Sequence, residues 1–221
     1  MRILFTLFSL FILAMQLRGQ SQTNIQSDYS SFKKSHAIFD EKQITGSPYL
    51  TKRFTPATIL RTDGTEIKDF KLRYNIYKNT MEFEKNGEVL AIANPATVQK
   101  IFMDGKIFTY SNYAISKNVN SSYFEVLYEG SYQLLKKYEV TINEPTEKSY
   151  SLDSVRFVRK SPQFYLRSSD GMAHLFYSQK SLIKVLQPIS QNVIDQIHVH
   201  KINAKDEKQL IELMHYIDQK N

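Results

Sequence analysis

Met81-Glu82-Phe83-Glu84-Lys85-Asn86-Gly87-Glu88-Val89-Leu90-Ala91-Ile92 is the stretch that decides the fold class. Two runs that suit a pleated surface flank an Asn-Gly pair, whose residues both accept the positive φ of a tight type I′ hairpin turn. The arrangement recurs along the chain. Asp63-Gly64, Asp104-Gly105, Glu129-Gly130 and Asp170-Gly171 also stand between runs rich in Val, Ile, Phe, Tyr and Thr. Val98–Met103 and Lys106–Tyr110 flank Gly105; Tyr123–Tyr128 and Ser131–Ile142 flank Gly130; Phe164–Arg167 and Met172–Tyr177 flank Gly171. Successive antiparallel hairpins follow from this pattern, and the uneven spacing of the turns excludes a solenoid repeat.

Alternation supports the strands. Phe70, Leu72, Tyr74 and Ile76 share one face, with Lys71, Arg73, Asn75 and Tyr77 on the other; Tyr138, Val140 and Ile142 alternate with Lys137, Glu139 and Thr141 in the same way. Period two with a polar face predicts one side buried and one wet. The last forty or so residues change period. Ser178 is placed to cap a short helix bearing Leu182, Ile183 and Leu186, which Pro188 ends, and a second short piece carries Val193, Ile194 and Ile197. Asn203 is expected to open a helix over Ala204–Lys220, apolar at Leu210, Ile211, Leu213, Met214 and Ile217. The prediction is an α+β fold, mainly antiparallel β: a curved β-meander of about ten or eleven strands covered by C-terminal helices. It forms a single domain over residues 46–221, with the helical cap at about 178–221.

Composition sets bounds. With 42% hydrophobic and 23% charged residues in a chain of 221, a packed core can form without staples. Cysteine is absent, which excludes disulfides, thiolate metal sites and a Cys nucleophile. Behind Arg2, the segment Ile3–Met15 holds only Thr6 and Ser9 as polar residues. It is shorter than the roughly 20 residues of a bilayer span and matches a secretory signal peptide over residues 1–21. Cleavage is expected after Ser21, with Gly19 at the −3 position, or after Gly19 itself. Residues 22–45 read as a polar N-terminal spacer. The net charge of +7 falls when Arg2 and Arg18 leave with the signal, so no polyanionic partner is demanded.

Several strings have a familiar look. Gly46-Ser47-Pro48-Tyr49-Leu50, then Leu72-Arg73-Tyr74-Asn75-Ile76-Tyr77 with Met81-Glu82-Phe83, and the closing polar-rich helix, resemble exported, uncharacterised proteins of Bacteroidota-type bacteria. The resemblance covers about residues 46–219. It implies an exported protein of a Gram-negative cell, periplasmic or at the cell surface, and carries no activity, cofactor or site residue.

The residues themselves offer few chemistries. His198-Val199-His200 would point two rings the same way in an extended chain, and Asp195 or Asp206 could add a carboxylate, but nothing fixes a third zinc ligand. His174, in alternation with Met172 and Phe176, reads as a histidine at the boundary of an apolar face rather than a catalytic base. Glu82 and Glu84 share a strand face, yet paired glycosidase carboxylates converge from different elements, and a solvated strand face explains the pair. No G-x-S-x-G elbow, phosphate-cradling loop, H-E-x-x-H or EF-hand pattern occurs, so no catalytic residue and no cofactor is expected. Arg156-Phe157-Val158-Arg159-Lys160 and Phe164-Tyr165-Leu166-Arg167 interleave basic and aromatic residues; in an exported protein that favours anionic lipid or polysaccharide over nucleic acid.

The leading expectation is a non-enzymatic binding or interaction module of the cell envelope whose partner is a protein or a glycan. Arg73, Asn75 and Tyr77 are the expected partner surface. The alternative is a periplasmic carrier holding a lipid-like apolar ligand between sheet and helix; a hydrolase ranks third.

Overall fold

The computed structural model describes residues 32–34, 44–115, 118–143 and 155–220. The expected signal peptide and most of the spacer lie outside the described residues. Thirteen strands and three helices follow in order: β1 (Phe32–Lys34), β2 (Thr55–Arg61), β3 (Glu66–Asn75), β4 (Thr80–Lys85), β5 (Glu88–Ile92), β6 (Val98–Met103), β7 (Lys106–Ile115), β8 (Asn118–Glu129), β9 (Gln133–Lys137), β10 (Val140–Asn143), β11 (Arg156–Arg159), β12 (Gln163–Arg167), β13 (Ala173–Phe176), α1 (Gln179–Val185), α2 (Gln191–Val199) and α3 (Glu207–Lys220). Among the described residues no helix is long and apolar enough to cross a membrane.

The turn chemistry acts as the sequence predicts. Asn86 and Gly87 have φ of 53° and 76°, Asp104 and Gly105 of 54° and 70°, which are the two positive values a type I′ turn needs. Gly130 is a glycine for another reason: a Cβ there would stand 1.7 Å from Asp218 Oδ2, because α3 presses its last turn against the β8–β9 hairpin.

Eleven strands form one sheet in the order β1-β5-β4-β3-β2-β6-β7-β13-β12-β9-β8, and β7 also pairs with β8. This corrects the simple meander. After β5, the 3₁₀ turn Pro95–Thr97 carries the chain back to the outer side of β2, where β6 pairs. The chain after β9 leaves the sheet to form a separate two-stranded ribbon, β10–β11, so Ser131–Ile142 is two strands rather than one. It returns as β12, and β13 then joins β7 in parallel, Ala173 opposite Tyr113. Strands β7, β8, β9, β12 and β13 therefore close on themselves as a small barrel, and β1–β6 curve away from it as an open sheet. Phe32–Lys34, within the spacer, add a strand to β5.

Closure removes the one-sided burial of an open sheet from the barrel strands. A strand of the barrel buries both faces, so β12 reads as a continuous apolar run. Tyr165 points inward with Tyr113, Phe124, Leu135 and Ala173, one residue from each strand, and this set fills the barrel. Its three rings interlock edge to face: Tyr113–Phe124 at 5.7 Å, Tyr113–Tyr165 at 5.6 Å and Phe124–Tyr165 at 5.1 Å between centroids. Outside, Phe164, Leu166 and Leu134 meet the helices through Leu182, Leu186, Ile197, Leu210, Leu213, Met214 and Ile217. On the other flank Phe108 and Tyr123 join Leu72, Tyr74, Met81, Phe83 and Ile101 of the open sheet, with Val140 and Phe157 of the ribbon.

The helical cap covers the sheet with one boundary correction. Ser178 caps α1 in a reciprocal box with Ser181, as expected from its position. The last helix opens at Asp206, whose Oδ1 accepts from the Gln209 amide at 3.1 Å, three residues after Asn203; Asn203 instead folds over Lys205.

Candidate functional site

A cleft of about 180 Å³ opens at the barrel mouth, where β9 leaves for the ribbon. Tyr74, Tyr77, Tyr113 and Tyr138 line it with Asn79, Ser122, Lys137 and Glu139. Each arrives there for a local reason. Asn79 takes the left-handed φ of 52° that ends the β3–β4 turn, a conformation Asn tolerates. Its amide oxygen accepts from Tyr74 Oη at 3.1 Å, Ser122 Oγ at 2.9 Å and the Tyr123 amide at 3.1 Å, which locks the β3–β4 turn to β8. Tyr113 and Lys137 sit on inward-facing positions at the barrel rim, and Lys137 Nζ stands 5.0 Å from the centre of the Tyr113 ring.

Four polar groups in this cleft are uncommitted. Among the described residues the Tyr77 and Tyr113 hydroxyls, the Lys137 ammonium and the Glu139 carboxylate make no hydrogen bond or ion pair. Tyr74 and Tyr138 are committed. Burial pushes the Tyr74 hydroxyl well above its ordinary value. Burial and the bond it donates to Glu125 do the same for Tyr138. Glu125 is itself buried, and Lys106 Nζ lies 2.5 Å from its other oxygen. Neither phenol is a ready nucleophile, because each holds its proton in the neutral range.

The expected partner surface is divided by the structure. Tyr77 lines the cleft, with its ring edge-on to Phe157 at 5.4 Å. Arg73 and Asn75 do not form an open face, which corrects the exposed reading. Tyr49 bridges to Asn75, and Leu50 and Pro48 hydrogen-bond β3 beyond the end of β2, so this segment covers the polar side. Asn75 is 0% exposed and donates to Glu82 Oε1 at 2.9 Å. Arg73 meets Glu82 Oε2 through Nε at 3.0 Å and Nη2 at 2.9 Å, and its guanidinium lies between the rings of Tyr49 (3.9 Å) and Phe54 (4.5 Å). Glu82, 1% exposed, is thus a structural anion, whereas Glu84 is exposed, and the two do not act as a carboxylate pair.

The metal set is not assembled. His198 lies in the last turn of α2 and His200 caps it, so the extended geometry that would align the rings is absent; residues two apart on a helix diverge. Asp195 accepts from Gln191 Nε2 at 2.8 Å, and among the described residues no three metal-ligating side chains come together. His174 Nε2 lies 3.0 Å from Asp170 Oδ2 on the exposed β12–β13 hairpin. A second groove of about 320 Å³, lined by Phe54, Phe70 and Phe83 with Asp69, Lys71, Glu84 and Lys85, lies on β3 and β4.

Of the cleft, only Tyr77 was among the residues that the sequence pattern singled out as a surface. Its other members come from β3 and the β3–β4 turn, from β7 and β8 and from the β9–β10 junction, elements far apart in sequence that only the folded sheet brings together. No protein-family model matches the chain, and no curated protein or solved structure matches it.

Proposed function

We propose that the protein is an exported, non-enzymatic binding module of a Gram-negative envelope and that the barrel-mouth cleft is its binding surface. The uncommitted Tyr77, Tyr113, Lys137 and Glu139 side chains carry this reading. A few convergent polar groups at the mouth of a rigid barrel are the usual make-up of a recognition site. The sheet–helix interface, where Leu134, Phe164 and Leu166 pack against Leu182, Leu210 and Leu213, speaks against the apolar carrier, which needs an empty space between sheet and helix. The apolar Ile3–Met15 segment behind Arg2 is the basis for export.

Expression in a Gram-negative cell tests both halves. The chain is expected in the envelope or extracellular fraction with its mature terminus at Gln20 or Gln22, and its native mass is expected to equal the chain mass. A cytosolic chain retaining Met1 and Phe5 overturns export, and a stoichiometric lipid adduct in native mass spectrometry favours the carrier.

A further inference from the structure

We propose that the barrel-mouth cleft takes one neutral pyranose ring, the terminal residue of a glycan. The proposal rests on the reading of that cleft as the binding surface and adds the ligand class.

Size comes first. The cleft, at about 180 Å³, lies below the roughly 300–1,000 Å³ of pockets for drug-sized ligands. It has room for a single ring and none for an acyl chain or a folded peptide turn. Chemistry comes second. A pyranose offers apolar C–H faces and a girdle of hydroxyls, each of which both donates and accepts. The cleft answers with tyrosine rings and with two free phenols, one ammonium and one carboxylate. Lys137 can only donate and Glu139, when ionised, can only accept, so hydroxyl groups satisfy both while a single charged ligand satisfies one and opposes the other. An anionic headgroup would meet Glu139, and an amine would meet Lys137. Rigidity comes third. Tyr113 is 7% exposed and its ring is wedged against Phe124 and Tyr165 inside the barrel, while Asn79 and Ser122 pin the opposite wall. A site that is already ordered loses little entropy on binding a small, weak ligand.

The test uses the purified full chain, labelled with ¹⁵N, titrated with the methyl pyranosides of glucose, mannose, galactose and N-acetylglucosamine, with glucuronic acid and a neutral tripeptide as comparisons. Amide shifts are expected at Ser122, Lys137 and Glu139 for at least one neutral pyranoside. Tyr113→Phe, which removes only a hydroxyl, and Tyr77→Ala are each expected to weaken that binding about fivefold to tenfold, the scale of one lost hydrogen bond or stacking contact. The proposal is overturned if no pyranoside shifts the cleft amides, if the shifts fall only in the β3–β4 groove, or if neither variant changes the affinity. Preferential binding of glucuronic acid or the tripeptide also overturns it. These failures leave the envelope-module reading standing, since that reading is decided by export and by the native mass.

Discussion

At the scale of single residues, Arg73 and Glu82 carry the largest hidden cost. Both sit on the face that alternation marks as wet, yet Glu82 is 1% exposed and Arg73 is clamped between two rings. Removing one member of a buried pair leaves the other charge desolvated, a loss of about 3–5 kcal/mol, whereas removing both is often mild. Arg73→Ala is therefore expected to destabilise more than the double variant Arg73→Ala/Glu82→Gln in urea unfolding. If the double variant is the less stable of the two, the pair is held by something other than its charges. The contrast with Asn86-Gly87 shows what a sequence discloses. A turn is settled by its own two residues, so it is legible from them. The burial of Asn75 is settled by Tyr49 and Pro48, more than twenty residues upstream, and nothing in β3 announces that cover.

Among the elements, α3 was legible in its stripe and its C-terminal end, and less so in its start. Leu210, Leu213, Met214 and Ile217 are all buried, as the spacing requires. Leu210→Ala, at a site 0% exposed, is expected to cost about 2–5 kcal/mol. Exposed Lys208→Ala, by comparison, is expected to change little. Gln209 is no neutral control, because its side-chain oxygen accepts from the Asn203 amide at 2.8 Å and holds the loop before the helix. Comparable small losses at Leu210 and Lys208 would mean that α3 is undocked. The far end of the helix is held by a carboxylate: Asp218 accepts from Tyr128 Oη at 2.6 Å and from the Ser131 amide at 3.0 Å. The Tyr128 bond, then the Ser131 bonds, and last the nearby His215 hold Asp218 below its ordinary value of 3.8. A carboxylate lowered in the folded state adds stability above its unfolded value, and that stability is lost as pH falls through the folded one. The melting temperature is thus expected to decline on acidification below about pH 4, and Asp218→Asn is expected to flatten that acid limb. An acid limb unchanged in the variant would show that the latch does not contribute.

For the whole molecule, the feature that periodicity could not disclose is closure. Each hairpin that turns on an Asp-, Asn- or Glu-Gly pair was legible because its turn is local, whereas β3–β4 and β7–β8 were not. The parallel meeting of β13 with β7 joins residues some sixty positions apart, with the ribbon and three more strands between, and no local pattern encodes it. Closure also produces the question of function, because the same ring of strands could be a packed core or a ligand's container. Phe124 decides between them. It is 0% exposed, and its ring touches both Tyr113 and Tyr165. In a filled barrel, Phe124→Ala removes the central ring and costs about 3–5 kcal/mol, leaving a dry apolar void. Such a void admits a small apolar molecule, so benzene is expected to restore part of the variant's stability in denaturant unfolding while leaving the unaltered protein unchanged. In a carrier the order reverses: the unaltered barrel already has room, so benzene or a fatty acid stabilises it as much as the variant. Equal stabilisation of the two proteins would make the barrel a container and move the proposed binding site from its mouth to its interior.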